Sequence, residues 1–176
     1  MDSKNFNVVP FGIVLSSNHG LNSTVTEFFI EKCIQEGSLL SMKDSILFKP
    51  TKTELPLKDF ASQCIGITGF SDNEKLWVSR IINMLGGQLT DSFSRKNTGL
   101  IANPTVKSQK SVKAKEWGIP VLDMHWLYQC VDQGCVVSGK NTTTFKSEVM
   151  RTAKTTQYIA KANLKSFKGL VIFTDM

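Results

Sequence analysis

The 176-residue sequence is short of what many function classes need. Its four cysteines, Cys33, Cys64, Cys130 and Cys135, form no CxxC pair. Most of them sit inside apolar patterns, where a reduced thiol behaves as a small hydrophobe. That argues against structural zinc and points to a reducing compartment, cytosol or nucleus. There are two histidines, His19 and His125, and neither has a paired nucleophile or a ligand cluster. P-loop, GxSxG and HExxH motifs are missing, so the chain reads as a non-enzyme with no cofactor and no metal site. No apolar run approaches the roughly 18 residues of a membrane span. The opening MDSKNFNVV has no long apolar segment and no cleavage signature, so it does not read as a secretory signal. The glycosylation triplets at Asn22 and Asn141 are accordingly read as chance.

The composition that remains is ordinary for a globular protein: 41% apolar and 20% charged residues. The balance is basic, with 21 Lys+Arg against 15 Asp+Glu and a net charge of +6. Such a surface favours anionic partners (nucleic acid, phosphoprotein or acidic lipid), although a solubilising surface has the same composition.

An internal repeat organises the chain. Shifted by 97 residues, FIEKCIQEGSLLSMKDSILFKP, from Phe29 to Pro50, lies on WLYQCVDQGCVVSGKNTTTFKS, from Trp126 to Ser147. Identities fall at Cys33/Cys130, Gly37/Gly134, Ser41/Ser138, Lys43/Lys140, Phe48/Phe145 and Lys49/Lys146. Each copy reads as a short helix opened by a large aromatic, a helix-ending glycine, an apolar pair and an extended tail. A weaker match, at an offset of 107, lays LKDFASQCIGIT, from Leu57, on LKSFKGLVIFTD, from Leu164. It suggests that another unit begins near Phe167.

One complete unit of about 90 residues is therefore expected from about Leu57 to about Phe145. Its first strand is Cys64 to Thr68, an apolar run suited to a strand covered on both faces. A helix from about Asn73 to Leu85 follows, capped by Ser71 or Asp72 with Glu74 in its first turn. Val78, Ile81, Ile82 and Leu85 form its buried stripe, and Gly86-Gly87 end it. Short strands at Gln88 to Phe93 and Thr98 to Ala102, a helix at Ser108 to Glu116, a strand at Ile119 to Leu122 and a helix at Met124 to Asp132 complete a βαββαβα order. That alternation implies an α/β fold, a parallel sheet flanked by helices. Trp117 and Trp126 read as core; Trp77 could pack internally or face a partner.

The motifs ITGF, GGQL, TGLIA and KAKEWGIPVLDMHWLYQCVDQG resemble those of the BRCT domain, a module of DNA-damage and replication proteins. The most specific element is Trp126-x3-Cys130-x3-Gly134, preceded by WGIPVL. The resemblance covers about Leu57 to Phe145 well. It covers Asn7 to Pro50 partially, as the last strand and helix of a preceding repeat with Phe29 in place of the family's Trp. It implies a four-stranded parallel sheet, with residues 1–52 a partial repeat, 57–147 a complete domain, and 148–176 a linker and possible start of another repeat. The first repeat would lack its own first strand and helix, so it should be the less stable part. In order, VVPFGI, FIEKCIQEGSLL, LFKPT, LPLKD and SFSRKN resemble a repeat pair of a multi-BRCT checkpoint scaffold.

The resemblance also gives a reading of Thr68-Gly69, where a buried strand meets a helix start. BRCT modules often bind phosphoserine or phosphothreonine. A phosphate carries about −1.5 to −2 charges and needs a hydroxyl, a backbone N–H near a helix N-terminus, and a cation. Thr68 would supply the hydroxyl, Gly69 the N–H, and Lys110, seven residues before Trp117, the cation. Arg95 and Lys75 are further basic candidates. The implied role is a nuclear scaffold module for DNA damage checkpoint signalling, repair and replication initiation, with phosphoproteins as partners. Two other readings stay open: DNA binding through Lys107, Lys110, Lys113 and Lys115, and a degenerate pocket for an unmodified protein.

Overall fold

The computed structural model describes residues 5–16, 23–139 and 171–173. The His19 and sequon positions Asn22 and Asn141, the tail through Phe145 and Ser147, and most of the segment matching Leu57 to Thr68 lie outside those residues. The chain divides into two compact units, one within Met1–Lys52 and Phe145–Met176, the other within Thr53–Thr144. Among the described residues, no helix is long and apolar enough to cross a membrane.

The second unit has the expected α/β architecture. Its strands are β3 (Cys64–Thr68), β4 (Gln88–Leu89), β5 (Gly99–Ala102) and β6 (Val121–Leu122). They form one parallel sheet in the order β4-β3-β5-β6. Parallel neighbours require crossovers, and helices supply two of them: α2 (Asp72–Leu85) between β3 and β4, and α3 (Gln109–Glu116) between β5 and β6. A final helix, α4 (Met124–Gln133), follows β6.

Local chemistry fixes the element ends. Ser71 caps α2 in a capping box: its hydroxyl accepts from the Glu74 amide, and the Glu74 carboxylate accepts from the Ser71 amide. Ser108 caps α3 and Asp123 caps α4 through side-chain oxygens that accept amide protons. The α2 stripe Val78, Ile81, Ile82 and Leu85 is buried as the spacing requires. So are both expected pairs on α4, Trp126/Cys130 and Leu127/Val131. Trp126 packs on Phe60, with ring centroids 5.6 Å apart, and donates its indole N–H to the Val137 carbonyl at 2.8 Å.

Two strands are shorter than expected by two residues or more, and β5 by one. β4 stops at Leu89 because the following chain folds into a turn around buried Asn97. That side chain accepts from the Ser94 amide and donates to the Thr90 hydroxyl and the Cys64 carbonyl. β6 starts only at Val121 because the Ile119 amide is tied back to the Ala114 carbonyl at the end of α3. Trp117 is half-buried rather than a core residue.

The first unit repeats the second unit's last elements. β1 (Asn5–Val9) pairs in parallel with β2 (Thr24–Thr26), and α1 (Glu27–Glu36) follows directly. Phe29 packs tilted against Phe6 and edge-on against Phe48, at centroid distances of 5.2 and 5.4 Å. Gly37 and Gly134 end α1 and α4 in the left-handed region, at φ of 63° and 67°. The Cys33 sulfur accepts the Leu40 amide, and the Cys130 sulfur accepts the Val137 amide, at 3.4 and 3.5 Å. Both contacts fall on the 97-residue offset. Burial pushes both thiols up, Cys130 to about 11, so each stays a protonated hydrophobe. A third strand, β7 (Val171–Phe173), lies in parallel on the free side of β1, giving the sheet order β2-β1-β7.

Candidate phosphate-binding site

The carboxyl end of a parallel strand leads into a helix N-terminus, so backbone donors concentrate there. In the second unit that place is the turn from β3 into α2. The last β3 residue, Thr68, is half-buried. Its carbonyl accepts the Asn103 amide at 3.1 Å, which fixes the turn against the end of β5. Its hydroxyl makes no hydrogen bond to a described residue, nor does the Gly69 amide. Gly69 has φ of +79°, and a Cβ there would stand 3.1 Å from Val106 Cβ and 3.2 Å from Asn103 Cβ. The turn therefore needs glycine twice over, for its dihedral and for the close approach of the next loop. That loop is turned by Asn103, whose Oδ1 accepts from both the amide and the hydroxyl of Thr105.

Lys110, on the first turn of α3, reaches this turn. Its Nζ donates to the Ile67 carbonyl at 3.3 Å, one residue before Thr68. Lys110 is half-buried, whereas Lys107, Lys113 and Lys115 are exposed. The run of lysines is therefore not one uniform basic face. Thr68, Gly69 and Lys110 are brought together. Ser108 and Ser111 add hydroxyls 3.0 Å apart at the start of α3. The sequence places Ser108 at the start of this helix but marks neither hydroxyl as a ligand donor.

The other two candidates are placed differently. Lys75 is on the first turn of α2 and pairs with Asp72 at 3.0 Å. Arg95 lies over the Trp117 ring, with its guanidinium carbon 5.7 Å from the centroid. Phe93 stacks on that ring, at 5.6 Å and 17°. Trp117 closes α3, so about seven residues of helix, roughly 10 Å, separate Arg95's anchor from Lys110. The structure does not join Arg95 to the Thr68 turn. One opposing feature also appears: the Glu74 carboxylate of the capping box holds negative charge at the start of α2. Among the described residues, no group of three or more His, Cys, Asp or Glu could hold a metal ion.

This sheet order, these crossovers and this closing helix define an α/β fold with a parallel four-stranded sheet. Residues 53–131 match the model of the BRCA1 C Terminus (BRCT) domain, and the fold agrees. Among curated relatives, the S-M checkpoint control protein rad4 of Schizosaccharomyces pombe is 23% identical over 116 residues, 63% of this chain and 18% of its own length. Regulator of Ty1 transposition protein 107 of Saccharomyces cerevisiae is 31% identical over 84 residues, 44% of this chain and 8% of its own. PAX-interacting protein 1 of Bos taurus is 37% identical over 71 residues, 40% and 7% respectively. The chain thus spans less than a fifth of the length of each of these relatives. Among solved structures, BRCT3,4 of S. pombe Rad4 superposes with a TM-score of 0.65 at 22% identity, covering 76% of this chain and 74% of that one. The structure of yeast Rtt107 and Mms22 gives 0.58 at 18% identity, covering 79% and 32%.

Proposed function

We propose that the second unit reads phosphoserine or phosphothreonine in partner proteins, and that the chain is a non-catalytic scaffold module of DNA damage checkpoint signalling, repair and replication initiation in the nucleus. The observation that carries this reading is the Lys110 ammonium held one residue from the unpaired Thr68 hydroxyl and the Gly69 amide. Together they offer a cation, a hydroxyl and a backbone N–H, the donor set a phosphate monoester requires. The enclosed position of Lys110 favours a localised anion over diffuse backbone contact along DNA. Lys75 and Arg95 serve residues flanking the phosphate, Lys75 once Asp72 releases it and Arg95 from its Trp117 platform. A checkpoint control relative supports the cellular setting, as does the order of motifs, which resembles the fourth and fifth repeats of the topoisomerase-II-binding scaffold.

The test is fluorescence anisotropy with labelled phosphoserine and phosphothreonine peptides, each beside its unphosphorylated form. A charge-assisted hydrogen bond contributes about 1.5–3 kcal/mol, so Lys110→Glu should weaken binding roughly tenfold to over a hundredfold. Thr68→Val should weaken it less while keeping the side chain's shape. Binding that ignores phosphorylation, or survives Lys110→Glu, would discard the reading. A duplex DNA probe whose binding falls steeply with salt would put DNA in its place.

A further inference from the structure

One apolar side chain borders the candidate site. The side chains nearest the place a Cβ on Gly69 would take are those of Val106 and Asn103, at 3.1 and 3.2 Å. Two backbone bonds fix that approach. The Asn103 amide donates to the Thr68 carbonyl at 3.1 Å, and the Val106 amide donates to the Asn103 carbonyl at 3.1 Å. The Asn103 side chain is engaged in its own loop, where its Oδ1 accepts two protons from Thr105. Val106 is 44% exposed, in a stretch, NPTVKS, with no other large aliphatic or aromatic residue. A lone exposed valine elsewhere on a surface needs no explanation. This one stands against Gly69, so a group held at that turn brings its neighbouring atoms towards an isopropyl face.

We infer, resting on the phosphate reading of the Thr68 turn, that the site prefers phosphothreonine to phosphoserine and that Val106 sets the preference. The two phosphoresidues differ by one methyl, which sits on the same carbon as the phosphoester oxygen. Fixing the phosphate on Thr68, Gly69 and Lys110 therefore fixes the small region that the methyl can reach. The groups that would hold the phosphate are polar: the Thr68 hydroxyl, the Gly69 amide and the Lys110 ammonium, with the Ser108 and Ser111 hydroxyls at the start of α3. Val106 supplies an apolar surface against Gly69. The threonine methyl leaves water by packing on that surface, whereas phosphoserine has no group to place there.

Fluorescence anisotropy on the full chain reads the preference. The probes are labelled nonapeptide pools, random at every position except a central phosphothreonine or phosphoserine, each beside its unphosphorylated form. The phosphothreonine pool should bind about fourfold tighter than the phosphoserine pool, the equivalent of one buried methyl. In Val106→Ala the two pools should bind equally. The ratio is taken within one preparation, so any loss of folded protein cancels. Equal binding of the two pools by wild type, or tighter binding of phosphoserine, overturns the inference and leaves the phosphate reading standing. A preference that persists in Val106→Ala overturns it too, because it would then belong to the stiffness of the β-branched residue or to another wall of the site. If neither pool outbinds its unphosphorylated form, the turn is no phosphate site and Val106 has no preference to set.

Discussion

The two units use the same closing device and different openings. In each, a strand runs directly into a helix whose early aromatic is buried, Phe29 in α1 and Trp126 in α4. In each, a left-handed glycine ends the helix and a buried cysteine sulfur accepts an amide seven residues on. The opening differs. In the second unit, β3 leads through Thr68-Gly69 into a capped helix, and that turn is the candidate site. In the first, the described residues include no counterpart of that turn and helix. Among the described residues, only the device that makes the core is present twice, so it and the candidate site occupy different parts of the unit.

The largest expected effects test whether the shared device carries equal weight. Trp126→Ala removes a fully packed indole and its hydrogen bond to Val137, and Phe29→Ala removes a ring packed on two others. Each should cost about 3–5 kcal/mol. Hydrogen exchange resolved along the chain should show Trp126→Ala loosening β3 and β5 first, and Phe29→Ala loosening β1 and β2. Loss of protection throughout both sheets from either change would show that they do not stand as independent cores.

Gly69→Ala separates site from core within one residue. A left-handed φ and the approach of Val106 and Asn103 should together cost about 1–3 kcal/mol in urea unfolding. Phosphopeptide affinity should fall as well, because relief of the clash must move the Asn103 loop and with it the start of α3. Unchanged affinity in a destabilised protein would mean that the Gly69 amide takes no part in binding.

The elements that were legible before any coordinates share a cause: their determinants are local. The α2 stripe, the cap at Ser71, and the Trp126/Cys130 and Leu127/Val131 pairs lie within a few residues of each other, and the helix limits agree to within one residue of expectation. The candidate site is reached by a different route. Thr68 and Lys110 are 42 positions apart, and only the family resemblance joined them; the bond from Lys110 to Ile67 now supplies the physical link. What escaped was set by non-local partners. Arg95 reads as a free cation in SFSRKN, but the ring beneath it comes from Trp117 at the end of another helix. The β4 end depends on Asn97 reaching back to Cys64, and no periodicity in GGQLTDSF reports that.

Glu74 gives a smaller effect of opposite sign. Its carboxylate caps α2 and sets negative charge beside the turn that would receive a phosphate. Glu74→Gln keeps a capping acceptor and removes the charge. Phosphopeptide binding should tighten a few-fold at low salt, and the gain should shrink as ionic strength screens it. Weaker binding at all salt concentrations would show that the cap's geometry matters more to the site than its charge.

The finest comparison is between the two buried thiols. Burial raises Cys130 from its ordinary 9.0 to about 11, the Val137 amide offsetting part of the effect, while the nearby Cys135 adds to it. Cys33 is raised in the same sense, again chiefly by burial, with the Leu40 amide opposing and Asp44 reinforcing. A thiol that ionises less readily when folded contributes stability that is fully present below pH 9.0 and is lost as pH climbs towards its folded value. The second unit should therefore lose stability between about pH 9 and about pH 11, and Cys130→Ala should flatten that part of the slope even though its cavity lowers stability at every pH. Cys33→Ala should do the same in the first unit. Tyr128, also raised by burial, is common to wild type and both variants and cancels in the difference. Unfolding followed in each unit from pH 8 to 11 reads the two slopes separately. If neither variant changes its unit's slope, burial does not hold these thiols protonated, and the likeness of the two units rests on their aromatics alone.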